Sequence, residues 1–65
     1  MVDLKRCRKK AGLTQRDLAE RVNVTTGYIS HLEKGVRTNP SLDLVEKIAM
    51  ALDVSVSELL TKKAG

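Results

Sequence analysis

A chain of 65 residues with a single aromatic side chain, Tyr28, can enclose one small aliphatic core; a second domain and a large ligand pocket are excluded. The net charge of +4 is carried unevenly, because residues 1–37 hold 9 Lys/Arg against 4 Asp/Glu while residues 38–65 hold 3 against 4. A basic half beside a near-neutral half is the charge distribution of a one-sided surface for a polyanion. Ordinary solubility charge is the competing explanation.

Five helical segments and no strand are predicted. In the first, Leu4, Cys7 and Ala11 recur at helical spacing. Asp3 is placed to cap its start, and Gly12 to stop it. Cys7 is the only cysteine, so no internal disulfide can form, and a reducing, intracellular setting is expected. Its apolar surroundings predict a small core residue rather than a reactive thiol. Thr14 opens the second helix, with Asp17 three residues on as a short capping box, and Leu18, Ala19 and Val22 form the buried face. Asn23 ends it, since Asn tolerates left-handed geometry. Val24 turns inward, Thr25 caps the third helix, Ile29 and Leu32 form its inner stripe, and Gly35 stops it.

A loop follows to Pro40, which biases Asn39 towards extended geometry. Ser41 caps the fourth helix, whose apolar face is Leu44, Val45, Ile48, Ala49 and Leu52, and Asp53 ends it. Ser55 and Glu58 make a capping box for a short fifth helix containing Leu59 and Leu60. Residues 61–65 have no pattern and are expected to fray. No apolar run approaches membrane-span or signal-peptide length, so the expectation is a cytoplasmic protein made of one domain, residues 1–65.

The second and third segments, with their tight turn, have the form of a helix-turn-helix over residues 14–34. The face opposite Ile29 and Leu32 holds Thr26, Gly27, Ser30 and His31, which would meet base edges in the major groove. Thr25 and Thr26 offer a methyl or a hydroxyl, and His31 can donate or accept at a purine edge. Gly27 reads nothing by side chain but permits close backbone approach, and Tyr28 can fill that space. Each has a plainer alternative: Thr25 as a cap only, Tyr28 as a cover for the core, His31 as an ordinary surface residue. Thr14 is mainly a cap with its backbone near phosphate. Arg16, Lys34, Arg37 and Asn39 flank the motif and can hold the DNA backbone, which positions without reading sequence. Lys5, Arg6, Lys9 and Lys10 supply long-range attraction from a solvated face. His31 is the only histidine and has no partner spaced for zinc, so no metal site is expected. No cofactor, small-molecule ligand or catalytic set is evident.

The series Leu13-Thr14-Gln15, Leu18-Ala19, Val24, Tyr28-Ile29-Ser30, Leu32-Glu33, Gly35, Asn39-Pro40-Ser41-Leu42 and Ile48-Ala49 resembles the Cro/C1-type (XRE) helix-turn-helix family. The likeness extends over residues 4–60. Arg37-Thr38-Asn39-Pro40-Ser41 and Leu52-Asp53-Val54-Ser55-Val56 look like SinR-type regulators, and Gly35-Val36-Arg37 is similar to restriction-modification controller proteins. The resemblance implies a compact five-helix, all-α, lambda-repressor-like domain. It also implies a homodimer that sets two recognition helices on a pseudo-palindromic operator. By the same likeness Gln15 is a phosphate clamp that also braces the start of the recognition helix, and Arg8 pairs with Glu33. Gly27 departs from the larger polar residue common at its position, and Asp53 from glycine.

Together these features predict a transcriptional regulator, a repressor by expectation, that binds double-stranded DNA. The dimer contact is expected in residues 54–60, where Val54, Val56, Leu59 and Leu60 exceed what one small core needs. An antitoxin-like module that binds a partner protein is the main rival, and a small enzyme a remoter one.

Overall fold

Three of the helix ends share one device, a residue in left-handed geometry followed by an apolar side chain that turns back into the core. The computed structural model describes residues 3–35 and 40–60. In it α1 spans Leu4–Lys10, α2 Gln15–Val22, α3 Thr26–Lys34, α4 Leu42–Leu52 and α5 Val56–Leu60, the all-α five-helix architecture predicted above. Gly12 (φ 76°) precedes Leu13, Asn23 (φ 60°) precedes Val24, and Asp53 (φ 56°) precedes Val54. In each the apolar residue's N–H returns to a carbonyl of the last turn: Leu13 to Arg8 at 3.2 Å, Val24 to Ala19 at 2.9 Å, Val54 to Ala49 at 3.0 Å. These bonds satisfy carbonyls that a helix end would leave unpaired, and the apolar residue seals the turn. Leu13, Val24 and Val54 all pack against the core.

The helix starts follow the capping residues. Thr25 Oγ1 accepts from the Tyr28 N–H at 3.1 Å, Ser41 Oγ from Leu44 at 3.2 Å, and Ser55 Oγ from Glu58 at 3.1 Å. Asp3 departs from the expectation. It stands at the N-cap position but its side chain makes no cap bond. Instead its carboxylate meets Arg6 at 3.3 Å, while its N–H donates to the Leu59 carbonyl at 3.1 Å and ties α1 to α5.

Asp53 is the weakest of the left-handed ends. An L side chain there is strained, and a carboxylate at a helix C-terminus opposes the helix dipole. Asp53→Gly is therefore expected to raise the unfolding free energy by about 0.5–1 kcal/mol. A thermal melt should show a gain of about 3–6 °C, and Asp53→Ala, which removes the carboxylate but keeps the Cβ strain, should show a smaller one.

The core is one aliphatic cluster. Leu4, Leu18, Ile29, Leu32, Ile48 and Leu59 are fully buried, with Cys7, Ala19, Val22, Val45, Ala49 and Leu52 around them. Burial raises the Cys7 thiol above its ordinary value, with Asp3 and Glu58 adding to the effect, so it is a core side chain in a protonated state. α2 packs on α3 and α4, α5 on α4 and α1, and α1 on α3. α3 is thus seated from below by α1 and α2, and its residues Thr26, Gly27, His31 and Lys34 are exposed. Among the described residues no helix is long and apolar enough to cross a membrane. The apolar residues of the fifth segment separate: Leu59 belongs to the core, Val54 and Val56 pack partly against it, and Leu60 is 51% exposed. The surplus of apolar side chains expected in residues 54–60 is therefore smaller by Leu59. The loop at residues 36–39 and the tail at 61–65 lie outside the described residues.

Candidate nucleic-acid interface

α3 has a sealed underside and an open outer face because its apolar residues recur three apart. Ile29 and Leu32 are buried beneath it, whereas Thr25, Thr26, Gly27, His31 and Lys34 are exposed and Ser30 is half-exposed. Tyr28 is placed differently from the others. It is half-buried and packs against the core, so much of its ring covers the aliphatic cluster. α3 has no acidic residue in its first turn and carries His31 and Lys34 in its last. The positive end of its dipole, with the exposed Thr26 and Gly27, is therefore open to an anionic partner.

The start of α2 borders this face. Thr14 and Asp17 form the complete reciprocal box: the Asp17 N–H donates to Thr14 Oγ1 and the Thr14 N–H to Asp17 Oδ2, both at 3.0 Å. These bonds, the backbone one first, hold the Asp17 carboxyl below its ordinary value. Arg16 is exposed and meets Glu20 at 3.4 Å, with side chains 82% and 67% open, so the pair holds Arg16 only loosely.

One carboxylate orients the motif. Glu33, near the end of α3, has a side chain only 4% exposed. Arg8 of α1 donates to it twice, from Nε to Oε2 at 2.5 Å and from Nη2 to Oε1 at 3.2 Å. Gln15 Nε2, from the first turn of α2, donates to the same Oε1 at 3.0 Å. Arg8 also donates from Nη1 to the Leu13 carbonyl at 2.8 Å, fixing the turn that leads into α2. Burial opposes ionisation of Glu33, but the hydrogen bonds from Arg8 and Gln15, the Arg8 charge and the more distant Lys5 charge outweigh it, leaving the carboxyl below its ordinary value. Among the described residues no buried side-chain polar atom lacks a partner.

The structure thus leaves Thr25, Thr26, Gly27, His31 and Lys34 exposed and Ser30 half-exposed on α3 and at its start, ties Gln15 to α3 through Glu33, and keeps Thr14 as the cap of α2. Arg37 and Asn39 lie outside the described residues. The Arg8–Glu33 pair that the family likeness implies is present. Gln15 braces α3 near its end, through Glu33, where the likeness implied its start, and the bond from Arg8 to the Leu13 carbonyl has no counterpart in the expectations. Both bonds join residues on different elements, and helical periodicity carries no signal for either. Among the described residues no group of His, Cys, Asp and Glu could hold a metal ion.

A DNA-binding class of fold is defined by this arrangement of two capped helices, a tight turn and an unobstructed second helix. The Helix-turn-helix family model matches residues 4–59, and the chain belongs to that family, of the Cro/C1 type. It is 42% identical over 60 residues to the HTH-type transcriptional regulator SinR of Bacillus licheniformis, an alignment covering 92% of this chain and 54% of SinR. It is 40% identical over 57 residues to the immunity repressor protein of Bacillus phage phi105, covering 88% of this chain and 39% of that one. The fold matches the crystal structure of SinR, the master regulator for biofilm formation, in complex with DNA, with TM-score 0.80 and 41% identity over 89% of this chain and 92% of that one. The chain spans about half the length of the SinR it matches.

Proposed function

We propose that this domain is a sequence-specific, DNA-binding transcriptional regulator, acting in the cytoplasm as a repressor. It lays α3 in the major groove of a pseudo-palindromic operator. The observation that carries this reading is the open face of α3, held at a fixed angle by Arg8 and Gln15 through Glu33. Its similarity to SinR and to a phage immunity repressor supports it. Thr25, Thr26, Gly27, Tyr28, Ser30 and His31 face the bases. Thr14, Gln15, Arg16, Lys34, Arg37 and Asn39 hold phosphates. Gln15 has a second amide hydrogen left for a phosphate after its bond to Glu33. The domain has no catalytic role.

Selection from a random duplex pool tests the reading. A recovered palindrome supports it, and an empty selection overturns it in favour of a protein-binding module. His31 gives a finer test, since its side chain is exposed and contributes nothing to the core. His31→Ala should leave the melting temperature unchanged. It should lose about 1–3 kcal/mol of discrimination at one symmetric pair of base positions. Equal weakening on every sequence would assign His31 to the backbone instead.

One helix reads too few base pairs to single out an operator, so the reading includes a two-fold dimer with recognition helices about 34 Å apart. We place its contact in residues 54–60, on the exposed Leu60 and the open edges of Val54 and Val56. Sedimentation of the free protein should show a dimer that Leu60→Glu dissociates. A dimer indifferent to that change would move the interface elsewhere.

A further inference from the structure

The four outward cations of α1 are not one patch. Arg6 and Lys10, four residues apart, lie about half a turn round the helix from Arg8. They line the groove between α1 and α5 together with Asp3 and Glu58, and Arg6 pairs with Asp3 at 3.3 Å. Arg6 thus has its charge met by Asp3, and Lys10, which forms no ion pair among the described residues, shares that groove with Glu58. Lys5 and Lys9 lie on the flank nearer Arg8, within about 100° of it round the helix. Arg8 is the residue that reaches from α1 to Glu33 and to the Leu13 carbonyl just before α2. That flank of α1 therefore borders the start of α2 and the end of α3. Both lysines are exposed, and among the described residues neither forms an ion pair. The nearest carboxylate on that side, Glu33, already accepts from Arg8 and Gln15, although the Lys5 charge still reaches it.

We propose that Lys5 and Lys9 bind the phosphate backbone of duplex DNA, extending the interface from the start of α2 onto the flank of α1. The ligand is the sugar–phosphate strand that runs past Gln15, and binding there reads no sequence. The proposal rests on the DNA-binding reading above. It assigns a local role to half of the basic run and leaves Arg6 and Lys10 facing a groove where anions are already present.

A charge-matched pair of double variants tests it. Lys5→Gln with Lys9→Gln and Arg6→Gln with Lys10→Gln each remove two cations, so each weakens long-range attraction equally. The first should lose about tenfold more affinity than the second, to the same degree on strong and weak sites. Its salt dependence should become shallower by about one for each phosphate no longer neutralised. Lys5→Arg with Lys9→Arg should bind as the parent does. The melting temperatures should match, which separates weaker phosphate binding from a weaker fold. Equal losses in the two Gln variants would overturn the phosphate site and leave the DNA-binding reading intact. A parent protein that binds no duplex would overturn both.

Discussion

Glu33→Ala is expected to lower the unfolding free energy by about 3 kcal/mol or more, a large share of the roughly 3–10 kcal/mol that holds a domain of this length. The loss has two parts. Arg8, with a side chain only 10% exposed, keeps its charge but loses its partner. Gln15 loses its acceptor, so the first turn of α2 is no longer tied to α3. Glu33→Gln is the milder change, because an amide oxygen can still accept from Arg8. Its NH2 must then face one of the donors that the carboxylate now satisfies. The pH dependence follows from the same geometry. The folded carboxyl titrates below its ordinary value of 4.5, so its stabilisation is complete above that pH and is lost as the pH falls through the folded value. Melting temperatures followed from pH 6 to pH 3 should fall more steeply in the parent than in Glu33→Gln. Asp17, lowered in the same direction, leaves a residual slope in both. Parallel curves would show that the buried pair contributes nothing to acid sensitivity.

Ile29→Ala is expected to destabilise the fold by about 2–5 kcal/mol, because Ile29 is fully buried in the core beneath α3 and a cavity remains. Urea unfolding should show a lower midpoint at an unchanged slope. The functional consequence is separable. Ile29 contributes nothing to the outer face, so the fraction that stays folded at low temperature should keep the parent's base preferences. His31→Ala, two residues along, should behave in the opposite way, with stability retained and preference changed. A changed preference in Ile29→Ala would mean that the seat of α3 shifts when its floor is cut away.

The residues that punctuate the helices are legible in the sequence because their effects are local. Thr14, Thr25, Ser41 and Ser55 each accept from an N–H three residues on, and Gly12, Asn23, Gly35 and Asp53 take the left-handed geometry their positions require. Asp3 does not cap as its position suggests, because an arginine three residues later competes for its carboxylate and a tertiary bond takes its N–H. The difference between Leu59 and Leu60 is not legible. Both satisfy an apolar pattern, and only the docking of α5 between α1 and α4 decides which is covered. The open face of α3 follows from helical spacing alone. The third hydrogen bond on Glu33 does not, since Gln15 lies 18 residues away and its role depends on where the turn at Asn23 sets α2.

Gly27 separates from the other glycines. Gly12 and Gly35 hold positive φ, but Gly27 lies in ordinary helical geometry, and a Cβ built there meets nothing within 4 Å. A Cβ at that position would move nothing in the scaffold, and most residues would favour the helix over glycine. On the reading proposed above, position 27 is a blank letter in the middle of a word. A lineage could rewrite which operator it recognises by filling that blank, in one substitution, while the caps, the core and the Glu33 brace remain as they are. Folding and target choice would then evolve on separate residues, and a duplicated copy could acquire a new regulon without passing through an unstable intermediate.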